Sequence, residues 1–359
     1  SENVQQKEEY IQDISTQYEQ MRQQRAGQMS AKSFIDLEMA RKNRLQLAFA
    51  QYTPPVPRFI GTKVWSDYDL SEIRPFIDWT PFFSSWQLAG RFPQILKDEI
   101  VGVEATRLYD DAQKLLDRIV KEKWLTAQAV VGIFPAASIG DDVALYVDET
   151  RDKKRATLHF LRQQRKKAAK NANLCLADYI APEGSKPDYI GAFAVTAGVG
   201  IDKWVKMFEE AHDDYHAIML KALADRLAEA FTELLHERVR KEFWGYAAEE
   251  HLDNDELISE KYQGIRPAPG YPACPEHTEK QTLFDLLDVS GQIDLQLTEH
   301  FAMFPTAAVS GWYFSHPESK YFGLGQIGQD QVEDYARRKG MTVEEAERWM
   351  APFLNYEPA

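Results

Sequence analysis

Helix and strand patterns occupy separate stretches of this chain, and this segregation restricts its possible folds more than any other feature. Strand patterns lie at about 129–195 and again after 301, and the strongest helical pattern lies between them at about 202–244. Elements grouped in this way pack as α+β folds rather than as alternating α/β units. The late strands have short connections, which favour antiparallel pairing. We therefore expect an α+β domain with an antiparallel sheet.

The positions of the individual elements follow from apolar periodicity and turn residues. Three prolines make residues 52–57 an extended segment, and a helix-rich part then continues to about 123. We predict strands at Ala129–Pro135, Val143–Val147, Leu174–Ile180, Ile190–Val195, Phe301–Phe304, Ala308–Phe314 and Tyr321–Ile327, and C-terminal helices at Gln331–Lys339, ended by Gly340, and at Val343–Met350.

Charge and composition exclude several classes of function. The net charge of −14 argues against nucleic-acid binding, because a phosphate backbone needs a positive surface. No apolar run approaches the roughly 18–20 residues of a membrane span, and no signal-peptide pattern opens the chain. The two cysteines, Cys175 and Cys274, are too few for a disulfide framework and indicate reduced thiols in the cytoplasm.

Residues 1–28 differ from the rest because they are polar and rich in glutamine. Within them Val4, Ile11, Ile14, Tyr18 and Met21 form a narrow apolar stripe at helical spacing. One interpretation is a helix that belongs to an upstream domain, and the other is an ordinary N-terminal arm. On the first interpretation the main domain comprises residues 29–359.

Three local patterns suggest chemistry but have simpler explanations. Gly323–Gly328 matches G-x-G-x-x-G, yet too little chain follows for a dinucleotide-binding βαβ unit, and a strand with small residues explains it better. His212 and His216 stand four apart like zinc ligands, but no third ligand is evident and a solvated helix face explains them. Cys274 with His277 is at most half a metal site.

A basic stretch at 151–170 reverses the acidic character of the chain locally. It holds nine basic residues against one acid, and it predicts either a dock for an acidic partner or a solvated helix face. The basic residues are Arg151, Lys153, Lys154, Arg155, Arg162, Arg165, Lys166, Lys167 and Lys170.

A proline-rich loop follows Arg266 and extends to His277. Its prolines leave little conformational freedom to lose on binding, so Arg266 could clamp a carboxylate by two parallel hydrogen bonds. Gly270 permits close backbone approach or a positive φ. The loop is either a ligand-binding loop or a rigid structural strap.

At this loop a resemblance to a known family becomes specific. Long motifs along residues 29–359 resemble the activation domain of cobalamin-dependent methionine synthase, and residues 1–28 resemble the helical tail of the cobalamin-binding domain that precedes it. The motifs are Asp78–Phe83, Asp225–Ala230, Arg266–Lys280, Ser310–Phe322 and Asp330–Met341.

The resemblance implies a C-shaped α+β domain with a central twisted antiparallel sheet flanked by helices. It implies S-adenosylmethionine as the ligand, with no catalytic residue and no metal ligand in this chain. Carried over residue by residue, the ligand contacts fall on Asp78, Glu229, Arg266, Gly270, Tyr271, Tyr321 and Phe322.

The function implied by the family is that of a methyltransferase module within methionine synthase. It would place the methyl of S-adenosylmethionine for reductive methylation of cob(II)alamin, with the cobalamin-binding domain and a flavodoxin-type reductant as partners. The cobalamin would be held by the upstream domain, and zinc only by the homocysteine region of the whole enzyme. The alternative is a non-catalytic docking module that recruits a reductase and binds nucleotide for regulation.

Overall fold

A six-stranded antiparallel sheet forms the centre of the computed structural model, which describes residues 33–358. Its strand order is β4-β3-β2-β5-β8. The edge of β2 that does not face β5 is shared by two strands: β1 pairs with the first half of β2, and β3 pairs with the second half. A separate two-stranded pair, β6-β7, lies before β8. The strands are β1 Gly61–Tyr68, β2 Thr126–Ile139, β3 Asp142–Tyr146, β4 Lys154–His159, β5 Asp188–Val199, β6 Gln296–Leu297, β7 Met303–Phe304 and β8 Ala308–Tyr313. The predicted antiparallel sheet is confirmed.

Helices cover both faces of this sheet. The longest, α6, packs against β5 and β8, and α8 packs against strands from the opposite face. The helices are α1 Leu37–Lys42, α2 Leu70–Ile73, α3 Thr80–Ser85, α4 Gly102–Glu122, α5 Ile201–Glu210, α6 Asp214–Arg238, α7 Asn254–Ile258, α8 Glu279–Leu287, α9 Val289–Gln292, α10 Gln329–Lys339 and α11 Val343–Met350.

Two hydrophobic cores lie on the two faces of β2. Since successive side chains of a strand point to opposite faces, Val131 and Ile133 enter the core shared with α6, and Val130 and Phe134 enter the core shared with α8. Both faces are covered, which explains why β2 is an almost continuous apolar run. Among residues 33–358, no helix is long and apolar enough to span a bilayer.

The predicted single helix at 202–244 is divided in the structure. His212, with φ +56°, lies in a turn between α5 and α6. Asp213 then begins α6, because its side chain accepts a hydrogen bond from the backbone N–H of His216. A π-helical turn, Val239–Phe243, ends the segment.

Two predicted strands are wrong. Leu174–Ile180 contains a 3₁₀ turn, Leu176–Tyr179, and Tyr321–Ile327 is a loop. Leu174–Ile180 is almost entirely buried, whereas in Tyr321–Ile327 only Leu324 and Ile327 are buried. The backbones of both segments bond to neighbouring loops and side chains, as when the N–H of Leu324 donates to the carbonyl of Pro272. Apolar content alone does not distinguish such loops from strands.

A solvated helix face in the basic stretch 151–170 is also a wrong prediction. The stretch forms β4 and a following loop. Arg151 donates to backbone carbonyl groups of β2 and β5, and Arg155 donates to one of α8. Arg162 is completely buried. The nine basic residues therefore do not share one surface.

Arg162 is the centre of a buried ionic cluster formed by Arg41, Asp141, Arg162, Asp178 and Asp334. The guanidinium of Arg162 contacts Asp141 at 2.6 Å and Asp178 at 2.8 Å. Arg41 bridges Asp141 at 2.8 Å and Asp334 of α10 at 2.6 Å. The cluster thus joins α1, the sheet and the C-terminal helices.

Candidate functional site

The loop that begins at Arg266 is held against the edge strand β8. Ile265 and Phe314 exchange two backbone hydrogen bonds of 3.0 Å, and the N–H of Trp312 donates to the carbonyl of Pro267 at 2.9 Å. Gly311 permits this approach, because a Cβ there would lie 2.6 Å from the Pro267 oxygen. The base of the loop is therefore an extension of the sheet.

The tip of the loop is a tight turn that requires glycine. Gly270 has φ +92°, and a Cβ there would lie 2.6 Å from the ring of His277. The Gly270 N–H donates to Cys274 at 2.9 Å, and the Cys274 N–H donates to Tyr271 at 3.0 Å. The turn directs Tyr271 outward, where 59% of this residue is exposed.

The guanidinium of Arg266 is fixed by groups from two other segments. Glu233 of α6 accepts from Nη2 at 2.6 Å and from Nη1 at 3.1 Å. Nη1 also lies 3.0 Å from Nδ1 of His236 and 3.1 Å from the hydroxyl of Tyr262. The backbone N–H of Arg266 donates to the hydroxyl of Tyr321 at 2.9 Å.

Part of this guanidinium remains available. Arginine has five N–H donors in a planar fork, and Glu233 occupies the end formed by Nη1 and Nη2. Within residues 33–358, no group accepts a hydrogen bond from Nε of Arg266. Nε–H and the second hydrogen of Nη2 form a side fork that suits one carboxylate.

Arg266 lies between two adjoining cavities of about 490 and 320 Å³, which also share Glu229 and Glu260. We call them together the cleft. The larger cavity is mainly aromatic and apolar. The smaller one combines four carboxylates with two arginines and five apolar residues, and we call it the acidic half of the cleft. The first includes Phe193, Val309, Tyr271, Tyr321 and Phe322, and the second includes Asp78, Glu229, Glu233 and Glu260.

The acidic half combines carboxylates from three segments. Asp78 lies before α3 and accepts a hydrogen bond from the Thr80 N–H at 3.0 Å. Glu229 lies one turn before Glu233 on α6, so both reach the same side of the helix. Glu229 is open to the solvent of the cleft, yet protein surrounds it, and this desolvation raises its pKa. Desolvation likewise raises the pKa of Glu260.

The structure brings six of the seven predicted ligand residues to the cleft. Asp78, Glu229, Arg266, Tyr271, Tyr321 and Phe322 line it. Gly270 does not line it but shapes the loop that carries Tyr271.

Four residues of the site are absent from the sequence prediction: Glu233, His236, Glu260 and Tyr262. Glu233 and His236 lie in the buried run 230–236, where charged residues are rare unless they are paired. A glutamate and a histidine inside an apolar helical run therefore indicate paired polar groups, and this pattern could have identified both residues. Glu260 and Tyr262 lie in a loop region without such a pattern.

The other candidate patterns do not form sites of the predicted kind. His212 lies in the turn before α6, and His216 bonds to Asp213 at 2.8 Å, so the two rings do not share a helix face. Cys274 donates its thiol to the carbonyl of Ala268. The Gly323–Gly328 segment is a loop and not the expected strand.

The sequence profile of the vitamin B12-dependent methionine synthase activation domain matches residues 69–340, which are more than half of the chain. The chain belongs to this family. Among solved structures, the crystal structure of the MetH reactivation domain bound to AdoHcy is 57% identical to it, with a TM-score of 0.88. The match covers 90% of this chain and all of that one.

Membership in the activation-domain family agrees with the architecture described above. The similar structure confirms the mixed fold with a central antiparallel sheet flanked by helices. The predicted helical tail at 1–28 lies outside the described residues, so the boundary between it and the activation domain remains a prediction.

Proposed function

We propose that this chain binds S-adenosylmethionine in the cleft and positions its methyl group for transfer to reduced cobalamin. The observation that carries this proposal is the side fork of Arg266, which lies between an acidic and an aromatic half of one cleft. The larger cavity is within the roughly 300–1,000 Å³ of small-molecule sites. The solved relative was crystallised with AdoHcy, the product that S-adenosylmethionine leaves after methyl transfer.

Each part of the proposed ligand has a complementary group. Its carboxylate suits the side fork of Arg266, and its ammonium suits Asp78. The sulfonium is a second cation, which suits the carboxylate of Glu229 and aromatic faces. The adenosine moiety has a flat apolar base that suits Tyr321 and Phe322.

The proposed reaction needs little proton chemistry from the protein. S-adenosylmethionine gives its methyl, as CH₃⁺, to cob(I)alamin that a one-electron donor has generated from cob(II)alamin, and S-adenosylhomocysteine remains. The reduced cobalt supplies the electron pair, so no side chain must act as a general base. The residues of the cleft act by binding and orientation.

The proposed partners are the cobalamin-binding domain of the same enzyme and a flavodoxin-type reductant. The exposed Tyr271 at the rim of the cleft offers an apolar contact for the cobalamin-binding domain. For an acidic reductant, the basic stretch offers a smaller surface than its composition suggests. Six of the nine basic residues are exposed, namely Lys153, Lys154, Arg155, Arg165, Lys166 and Lys170. Lys320 lies near Lys167, whose pKa is lowered chiefly by burial.

The alternative is a docking module that binds nucleotide only for regulation, and a transfer assay distinguishes it. The 359-residue chain is mixed with methyl-labelled S-adenosylmethionine, cobalamin and a one-electron reductant. We expect labelled methylcobalamin to form faster than without protein. Binding of the ligand without any acceleration would support the docking module instead.

A further inference from the structure

The side chain of His236 is completely buried between charged groups. Its ring is parallel to that of Tyr313 at 5.2 Å and meets the ring of Tyr262 edge-on at 4.7 Å. Nδ1 lies 3.0 Å from Nη1 of Arg266. The guanidinium of Arg240, four residues later in the chain, covers the Tyr262 ring at 4.5 Å.

This contact determines the state of the imidazole. A guanidinium can only donate, and the Nη1 hydrogen that does not face Glu233 is shared by Nδ1 of His236 and the hydroxyl of Tyr262. Nδ1 must therefore be an acceptor, and the proton must reside on Nε2. Burial, Arg240 and Arg266 all hold the pKa of His236 well below its usual range, which agrees with a neutral ring.

A proton on Nε2 of His236 has an energetic cost that a side chain used only for packing would avoid. Within the described residues, Nε2 of His236 is buried and has no hydrogen-bond partner. Leaving a buried donor unpaired is unfavourable, and a phenylalanine would fill the same space against Tyr313 without that penalty. The benefit of a histidine here must therefore come from Nδ1.

We propose that His236 is a positioning residue that orients Arg266 for the carboxylate of the ligand. His236 and Glu233 lie three residues apart on α6, so they hold the guanidinium from adjacent positions on one helix face. Together they leave Nε–H and the second Nη2 hydrogen as its free fork. This inference rests on the proposed function, because it assumes that Arg266 binds the ligand carboxylate.

The test compares two ligands that differ only in the carboxylate. Affinities of the 359-residue chain for S-adenosylmethionine and for its decarboxylated analogue are measured by calorimetry. H236F keeps a flat ring against Tyr313 but removes the acceptor, and H236N returns an acceptor oxygen near the position of Nδ1. Thermal unfolding of each variant establishes that it is folded.

We expect H236F to weaken S-adenosylmethionine binding by about tenfold or more, the effect of losing one charge-assisted hydrogen bond. Its affinity for the decarboxylated analogue should change by less than about twofold, and H236N should recover most of the loss. An equal loss for both ligands, or no loss for either, would overturn the inference. If the wild-type chain binds neither ligand, the proposed function itself fails, which is a separate result.

A measurement on the wild-type protein needs no variant. Nitrogen-15 NMR of the histidine side chains reports which ring nitrogen carries the proton. We expect His236 to be neutral and protonated at Nε2 near neutral pH. A ring protonated at Nδ1 could not accept from Arg266 and would overturn the proposal.

Discussion

The guanidinium of Arg266 has one paired end and one free side. Its end fork pairs with Glu233, of whose side chain only 9% is exposed, and its side fork is free toward the cleft. The loop from Arg266 to His277 can therefore be a structural strap and a ligand-binding loop at the same time. The strap holds the arginine, and in the proposed complex the arginine binds the ligand carboxylate.

Replacing Arg266 should consequently affect stability as well as binding. In R266A the carboxylate of Glu233 would remain in a nearly buried place without its partner. We expect a loss of about 2–3 kcal/mol in the free energy of unfolding, below the ~3–5 of a fully buried pair. Urea unfolding measures it, and the double variant E233Q/R266A should regain part of the loss. If R266A is as stable as the wild type, Glu233 does not hold the guanidinium.

The raised pKa of Glu229 predicts that the affinity for S-adenosylmethionine depends on pH more strongly than the affinity for S-adenosylhomocysteine. Desolvation raises the pKa of Glu229. In the free protein, a fraction of the molecules therefore keeps this carboxyl protonated at pH values above those at which an ordinary carboxyl is ionised. A cation favours the ionised form, so binding should release a proton, and affinity for S-adenosylmethionine should rise as pH increases through this raised pKa.

Calorimetry from about pH 5 to 7 tests this linkage. S-adenosylhomocysteine, whose thioether carries no charge, should show a weaker dependence. In E229Q the slope for S-adenosylmethionine should flatten toward that of S-adenosylhomocysteine. Equal slopes for both ligands in the wild-type protein would show that Glu229 does not sense the sulfonium.

At the scale of elements, the sequence best predicts the strands that are buried on both faces, because they form continuous apolar runs. β2, β5 and β8 were located because apolar runs and short turns bound them, and α11 was located to the residue. β1 and β4 were missed, since both are partly exposed and rich in polar residues. The two wrong strands are loop segments with buried apolar side chains, and their backbones bond mainly to groups outside the sheet.

The same contrast applies to the site. Residue chemistry alone indicated the loop from Arg266 to His277, and the resemblance supplied Asp78, Glu229 and the aromatic pair. The contacts of Arg266 with Glu233 and His236 join residues 33 and 30 positions apart. No local pattern contains such a pairing, so it required the fold.

The basic stretch also shows how the fold divides similar residues. Arg162 is buried with two carboxylates, and Arg165 is exposed three residues later. We expect R162M to lose roughly 3–5 kcal/mol of unfolding free energy, because it leaves buried carboxylates without a cation. R165M, the matched control, should change by less than about 0.5 kcal/mol. Equal effects in urea unfolding would contradict the assignment of the ionic cluster.

For the whole molecule, the segment just after residue 32 is an integral part of the domain. The N–H of Leu37 donates to Asp330 at 2.6 Å, and Arg41 joins Asp141 to Asp334. These contacts cross from one end of the described chain to the other. They place the segment 37–42 inside the domain, and the boundary at residue 28 remains a prediction of the sequence.

Truncation tests this boundary. Deleting residues 1–28 should leave the melting temperature and the affinity for S-adenosylmethionine almost unchanged, because the contacts of Leu37 and Arg41 remain. Deleting residues 1–44 should lower the melting temperature by several degrees, because the ionic cluster loses Arg41. A large loss already in the shorter truncation would place residues 1–28 inside this domain.

The central claim is that the cleft binds S-adenosylmethionine through Arg266, and calorimetric titration of the 359-residue chain tests it most directly. We predict one site per chain in the wild type. In E233Q/R266A, which removes the guanidinium without leaving Glu233 as an unpaired charge, affinity should fall by at least about tenfold. Absence of binding in the wild type, or equal affinity in a folded double variant, would contradict the account.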